Sequence, residues 1–285
     1  MKLINDMNVH LTYDESYHLT EGTQTTKAAS GLKAENKMSI LDYSNCLDLN
    51  HPLFRKSFQS ANFMFFNPTV FDDRQLISIL DKISVSYPNS GFTALIDFRN
   101  NDCLRKIENL VSLGFSGIKF HPYSQEILES DWERILEVSK VAEKNRLLIY
   151  VCTSFGTSKM HKHNGMGLAC KIAENIRDTP IILLHSGGTK IYEAMLLADD
   201  QPNIYLETSF SLNYLENSPL WDDIAYVYKK IGSTRVLFGS DYPYISFNES
   251  LDCIERFLQK YKFTEEDKIN ITFRNFENLI KKYKS

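Results

Sequence analysis

From residue 60 onward, short apolar runs return at intervals of roughly 30 residues, the length of one strand–helix unit. They cover residues 61–66, 93–98, 117–120, 147–151, 181–184, 203–206 and 235–238. An eighth candidate spans residues 3–11, where Met7 and Val9 alternate with Asn8 and His10. Low polarity and many β-branched or aromatic residues suit strands buried on both faces, as parallel strands are. The segments between them read as helices with recognisable ends. Ser130 with Glu133 makes a capping-box pattern, and Gly114 and Gly232 stand where helix C-termini want a left-handed residue. Thr264 reads as the cap of a final helix running to Tyr283, expected to pack on the outside of the molecule.

Eight such strands either close into a barrel or lie open as a doubly wound sheet. No Gly-x-Gly-x-x-Gly or P-loop follows an early strand, which removes the usual nucleotide-binding reason for an open sheet. Polar residues with chemical potential gather instead at the C-terminal ends of many strands, where a barrel assembles its active site. They are His10, Asp97 with Arg99, Lys119 with His121, Cys152, His185, Glu207 and Asp241. The expected fold is α/β, a (β/α)₈ TIM barrel forming one domain over residues 1–285. Residues 12–60, polar and without sustained periodicity, form an irregular insertion after the first strand, read as a lid over the barrel mouth.

Composition narrows the function classes. With 43% hydrophobic and 24% charged residues the chain is globular, and 32 basic against 36 acidic residues give no field that would attract nucleic acid. The five cysteines are widely spaced with no Cys-x-x-Cys pair, as expected of reduced thiols in the cytoplasm. No signal peptide or apolar stretch of about 18 residues suggests export or membrane insertion. The expected partner is a small-molecule substrate; self-association into a homo-oligomer is left open.

Four strings carry a resemblance: Gly117-Ile-Lys-Phe-His-Pro122, Ile181-Ile-Leu-Leu-His-Ser-Gly-Gly188, Asn203-Ile-Tyr-Leu-Glu-Thr-Ser209 and Arg235-Val-Leu-Phe-Gly-Ser-Asp-Tyr-Pro243. In order and spacing they resemble the amidohydrolase-related family of metal-dependent barrel hydrolases and decarboxylases. Phe273-Arg-Asn-Phe-Glu-Asn-Leu279 looks like that family's closing helix. The resemblance implies that Asp241 touches a metal and takes a proton from the attacking water, and that His185 is a ligand. It also implies His-x-His on the first strand and a His ending the fifth. Here the first strand reads Asn8-Val9-His10, and Cys152 stands at the fifth-strand position.

Residues two apart on a strand share a face, so Asn8 and His10 both point into the barrel. An Asn carbonyl is a weak ligand and a thiolate binds zinc well, so His10, Cys152, His185 and Asp241 are expected to hold Zn²⁺, with Asn8 as a weak further ligand. Some lactone hydrolases of the superfamily are regarded as working without metal. Lys119, His121, Arg99 and Glu207 are candidates for orienting the substrate. Lys119 also occupies the strand that carries a carboxylated lysine in two-metal relatives. His161 and His163 read as part of a solvated loop at the mouth. The leading expectation is hydrolysis of a C–N or C–O bond (amide, cyclic amide, ester or lactone) by an activated water. Decarboxylation of a small unsaturated or aromatic acid is the alternative, and a non-catalytic barrel with a degenerate metal site is the third reading.

Overall fold

The computed structural model describes residues 3–11, 58–65, 76–158, 160–242 and 244–283. One parallel sheet runs in sequence order through β1 (Ile4–Leu11), β2 (Phe58–Phe65), β3 (Gly91–Leu95), β4 (Gly117–Phe120), β5 (Leu148–Cys152), β6 (Ile181–Leu184), β7 (Ile204–Glu207) and β8 (Val236–Leu237). Its two edges meet: the Met7 N–H donates to Phe238 O at 2.9 Å, and the His10 N–H donates to Tyr242 O at 2.8 Å. The expected TIM barrel is therefore the observed fold. The expected insertion falls, from residue 12 to 57, outside the described residues.

Alternation along the strands separates two apolar layers. Met7, Met64, Leu148, Tyr150, Ile182, Leu184 and Leu237 fill the interior, while Val9, Ile149, Val151, Ile181 and Leu183 face the helices. Between β3 and β8 the connections carry the helices Cys103–Leu110, Trp132–Lys144, Gly165–Ala173, Ile191–Asp200 and Leu220–Ile231. Gly114 adopts the left-handed conformation expected of it (φ 83). The Ser130 cap is not made. A 3₁₀ turn over Glu129–Asp131 leads into the next helix, the Asp131 carboxylate accepts from the Leu128 N–H, and Glu133 pairs with Lys171 at 2.7 Å.

The final segment also departs from expectation. Thr264 caps it as read, but the helix is interrupted by a π-turn over Asn270–Arg274 and resumes as Asn275–Tyr283. Phe276, Leu279, Ile280 and Tyr283 join the interior layer instead of packing on the barrel exterior. Apolar residues at three- and four-residue spacing present one stripe, and the N-terminal end of the barrel is the open apolar surface that stripe can cover. Gly91, at the start of β3, leaves the space: a Cβ there would lie 2.6 Å from Ile280 Cδ1. This helix is a floor, so Ile280→Ala is expected to cost about 2–5 kcal/mol, read as a lower urea midpoint with an unchanged m-value.

Candidate active site at the C-terminal face of the barrel

Above the apolar interior lies a layer of buried polar side chains. β1 contributes three of them, at Asp6, Asn8 and His10, all buried. Asp6 Oδ1 accepts from the Asn8 N–H at 3.0 Å and from the Ser240 N–H at 2.9 Å, tying β1 to the turn after β8. Asn8 then donates its amide to Asp241 Oδ1 at 3.1 Å and to Ser209 Oγ at 2.9 Å. His10 Nε2 lies 3.7 Å from Asp241 Oδ1 and 2.8 Å from Lys119 Nζ. Asn8 and His10 thus share the inward face, and Asn8 serves as a donor.

Lys119, in the middle of β4, is only 1% exposed, with Met64 Sδ 3.5 Å from its nitrogen. Burial draws its pKa below the usual lysine value, while Cys152, Asp241 and Glu207 act the other way. Asp241 responds oppositely: burial pushes its carboxyl up to about 7, against the opposing field of Lys119. Burial also keeps His10 and His121 well below the usual histidine value and brings His185 down to about 3, so all three imidazoles are neutral at pH 7.

Hydrogen bonds fix the tautomers. His185 Nδ1 faces Ser209 O at 3.2 Å, and a carbonyl can only accept, so Nδ1 carries the proton and Nε2 keeps its lone pair. His121 is the reverse: the Ser124 N–H donates to its Nδ1 at 3.1 Å, so Nε2–H points at Cys152 Sγ, 3.5 Å away. In that state His121 donates to the sulfur and cannot act as its base. Burial raises the Cys152 thiol above its ordinary pKa.

Glu207 is fully buried, accepting from the Ser209 N–H at 2.6 Å, the Ser209 hydroxyl at 2.7 Å and the His185 N–H at 3.2 Å. Burial raises its pKa to about 8 despite the bonds from Ser209. A Cβ on Gly239 would collide with its carboxylate, which explains the glycine of the Gly-Ser-Asp string. Glu207 therefore holds the β6 and β7 termini together. Arg99 is placed apart from this group: its guanidinium meets Asp131 at 2.6 Å, donates to Gln125 O at 2.9 Å and covers the Phe98 ring. His161 is exposed and His163 donates from Nδ1 to Ile127 O at 3.1 Å; both line, with Tyr123, Asn164 and Lys190, a cavity of about 270 Å³ that reaches Cys152.

Backbone strain marks the same places. His185 (φ 67), Ser186 (φ 53) and Asp241 (φ 64) all occupy the left-handed region without being glycine, a conformation that costs of order 1–3 kcal/mol each and persists only where surroundings enforce it. Two contributors escaped the sequence reading, Asp6 and Ser209. The alternation Asp6-x-Asn8-x-His10 on one strand face was a usable signal for the first; Ser209 becomes informative only once β7 lies beside β1's partners.

The Zn²⁺ set expected at His10, Cys152, His185 and Asp241 is not assembled. Among the described residues, no three His, Cys, Asp or Glu side chains gather as a metal-holding group. Cys152 Sγ faces His121, and Lys119 Nζ sits against the His10 nitrogen that would ligate. These residues do not fit an ion in this arrangement. Among the described residues, no helix is long and apolar enough to cross a membrane.

No curated protein sequence matches the chain. Solved structures of similar fold include a 2,6-dihydroxybenzoate decarboxylase from Rhizobium (15% identity, TM-score 0.68, 99% of this chain and 99% of that one). A dihydroxybenzoic acid decarboxylase from Polaromonas sp. JS666, with bound manganese and the inhibitor 2-nitroresorcinol, matches at 14% identity and TM-score 0.68 over 99% and 97%. A probable 2-pyrone-4,6-dicarboxylic acid hydrolase from Acinetobacter baumannii, with citric acid bound, matches at 12% identity and TM-score 0.67 over 98% and 99%. At such identities the likeness concerns the fold. A family model described as amidohydrolase matches residues 59–275, most of the chain, and on that match the chain belongs to the amidohydrolase family.

Proposed function

We propose that this barrel hydrolyses a C–O or C–N bond next to a carbonyl in a small polar substrate, with Asp241 taking the proton of the attacking water. The observation that supports this best is the state of Asp241. It is a buried carboxylate on a strained backbone, clamped by the Asn8 amide and facing both His10 Nε2 and the field of Lys119. A carboxylate pushed to about 7 is poised as a base at neutral pH, because its conjugate acid is then close to the operating range. His185, neutral with its Nε2 lone pair available, accepts a hydrogen bond from the water or from a substrate hydroxyl. Lys119 orients the carbonyl from the opposite wall. Glu207 acts through Ser209 and the His185 backbone, as a positioning residue.

Decarboxylation of a small aromatic or unsaturated acid is the second reading. It is favoured by the two buried carboxyls whose pKa values of about 7 and about 8 let one hold a proton for a carbon. The chemistry separates the two, since only hydrolysis places an oxygen of solvent water in the product. The experiment is a panel of lactones, esters and cyclic amides beside aromatic acids, run in isotopically labelled water. Solvent oxygen in the carboxylate of the organic product supports the hydrolase; carbon dioxide release with no solvent oxygen in the organic product replaces it. Elemental analysis of protein grown with zinc is expected to find no stoichiometric metal, because Lys119 Nζ occupies the place beside His10 Nε2 that an ion would need.

Two outcomes are expected for the hydrolytic substrate. Because the base must be ionised, kcat/KM rises as pH increases through about 7, the value to which burial brings Asp241, and a flat profile from pH 5.5 to 8.5 removes Asp241 from the role. Asp241→Asn is expected to lower kcat/KM by roughly 10²- to 10⁴-fold while the far-ultraviolet circular dichroism stays native.

A further inference from the structure

We propose that the Lys119 ammonium is the resident cation of this site, standing where an ion on His10 Nε2 would sit, and that it takes the carbonyl oxygen of an ester or lactone substrate. The substrate part rests on the hydrolytic reading above; the cation part does not.

Metal–nitrogen bonds to histidine are about 2.0–2.1 Å long. Lys119 Nζ lies 2.8 Å from His10 Nε2, on the nitrogen a metal would use. An ion bound along that lone pair would stand within about an ångström of the lysine nitrogen, so one excludes the other. Steric exclusion is joined by charge: an ammonium at this place repels a divalent ion, and its own burial above Met64 is tolerated only beside carboxylates. Asp241, when ionised, supplies that compensation in the same layer.

Two departures from the family pattern then have one explanation. Asn8, at a position where an imidazole would ligate, instead gives N–H donors to Asp241 Oδ1 and Ser209 Oγ, which orients the carboxylate without a metal. Cys152, at the other altered position, turns its sulfur to the Nε2–H of His121. Neither residue is used as a ligand, and the charge a metal would bring is supplied by β4.

The substitution has a chemical consequence. An ammonium donates hydrogen bonds and carries a single charge, so it polarises a carbonyl oxygen but does not acidify a bound water as zinc does. The whole burden of activating water falls on Asp241. Such a site is matched to an activated carbonyl, an ester or lactone, in preference to an unactivated amide.

The test is a titration of chelator-treated protein with Co²⁺, followed by the visible ligand-field absorption that a protein-bound ion develops. The wild-type protein is expected to show no band. Lys119→Leu, which removes charge and donor together, is expected to bind Co²⁺ about 10- to 100-fold more tightly as His10 and Asp241 are released. Lys119→Ala serves as a second variant, and the wild-type titration decides alone if neither folds. Cobalt bands in the wild type, a variant that binds no better, or a native mass showing carbon dioxide added to Lys119 would each overturn the proposal. If the wild type refuses cobalt and yet hydrolyses nothing in the panel, the cation assignment stands and the hydrolytic reading falls.

Discussion

The site depends on how the barrel closes. β1 and the end of β8 are far apart in sequence, and their seam is held by the Met7 N–H to Phe238 O, the Asp241 N–H to Asn8 O, and the His10 N–H to Tyr242 O. Asp6 reinforces it by accepting from Ser240. These bonds satisfy backbone groups that an open sheet would leave as two edges. They also set the register at which Asn8 and His10 meet Asp241. A one-residue slip would turn both β1 side chains to the helix layer and leave the Asp241 carboxylate buried without its amide donor.

Above that seam, the chemistry follows from a shortage of water. The polar layer rests on methionine, leucine and tyrosine side chains, so every charge in it is desolvated. Carboxylates rise in pKa, imidazoles fall, and the lysine falls as well, each moving toward its neutral form. What remains charged must be paired at short range. Asn8, Ser209 and the backbone donors around Glu207 show this, as they aim N–H and O–H groups at carboxylates instead of at solvent. Strain at His185 and Asp241 is the conformational cost of pointing those side chains inward from turns that immediately follow a strand.

Legibility in the sequence varied with the range of the interaction. Strand positions were readable because apolar runs and their spacing are local properties, and the structure keeps all eight. The Ser130 cap failed because Asp131, one residue on, offers a carboxylate that reaches the Leu128 N–H and also pairs with Arg99. Arg99 itself looked like a substrate group because it follows β3, but a long, flexible side chain at a strand end can turn to the rim. The final helix was readable as a helix and misplaced as exterior, since an apolar stripe does not say which surface it covers. Tautomers of His121 and His185, and hence what each can donate or accept, were invisible until Ser124 and Ser209 were placed beside them.

By itself, the sequence determined the repeated strand–helix order, the family through its four strings, the inward placement of Asn8 and His10, and the position of Lys119 and Asp241 at the C-terminal ends of strands. Periodicity and chain chemistry decide those things locally. Only the tertiary structure decided that Lys119 Nζ meets His10 Nε2, that Cys152 faces His121, and that Glu207 is spent on Ser209 and His185. Apart from the local bond between Glu207 and Ser209, these contacts join residues from different strands and their ends, separated by 109 positions in the chain for Lys119 and His10. A distance of that kind is fixed by barrel closure and packing, which no single segment encodes.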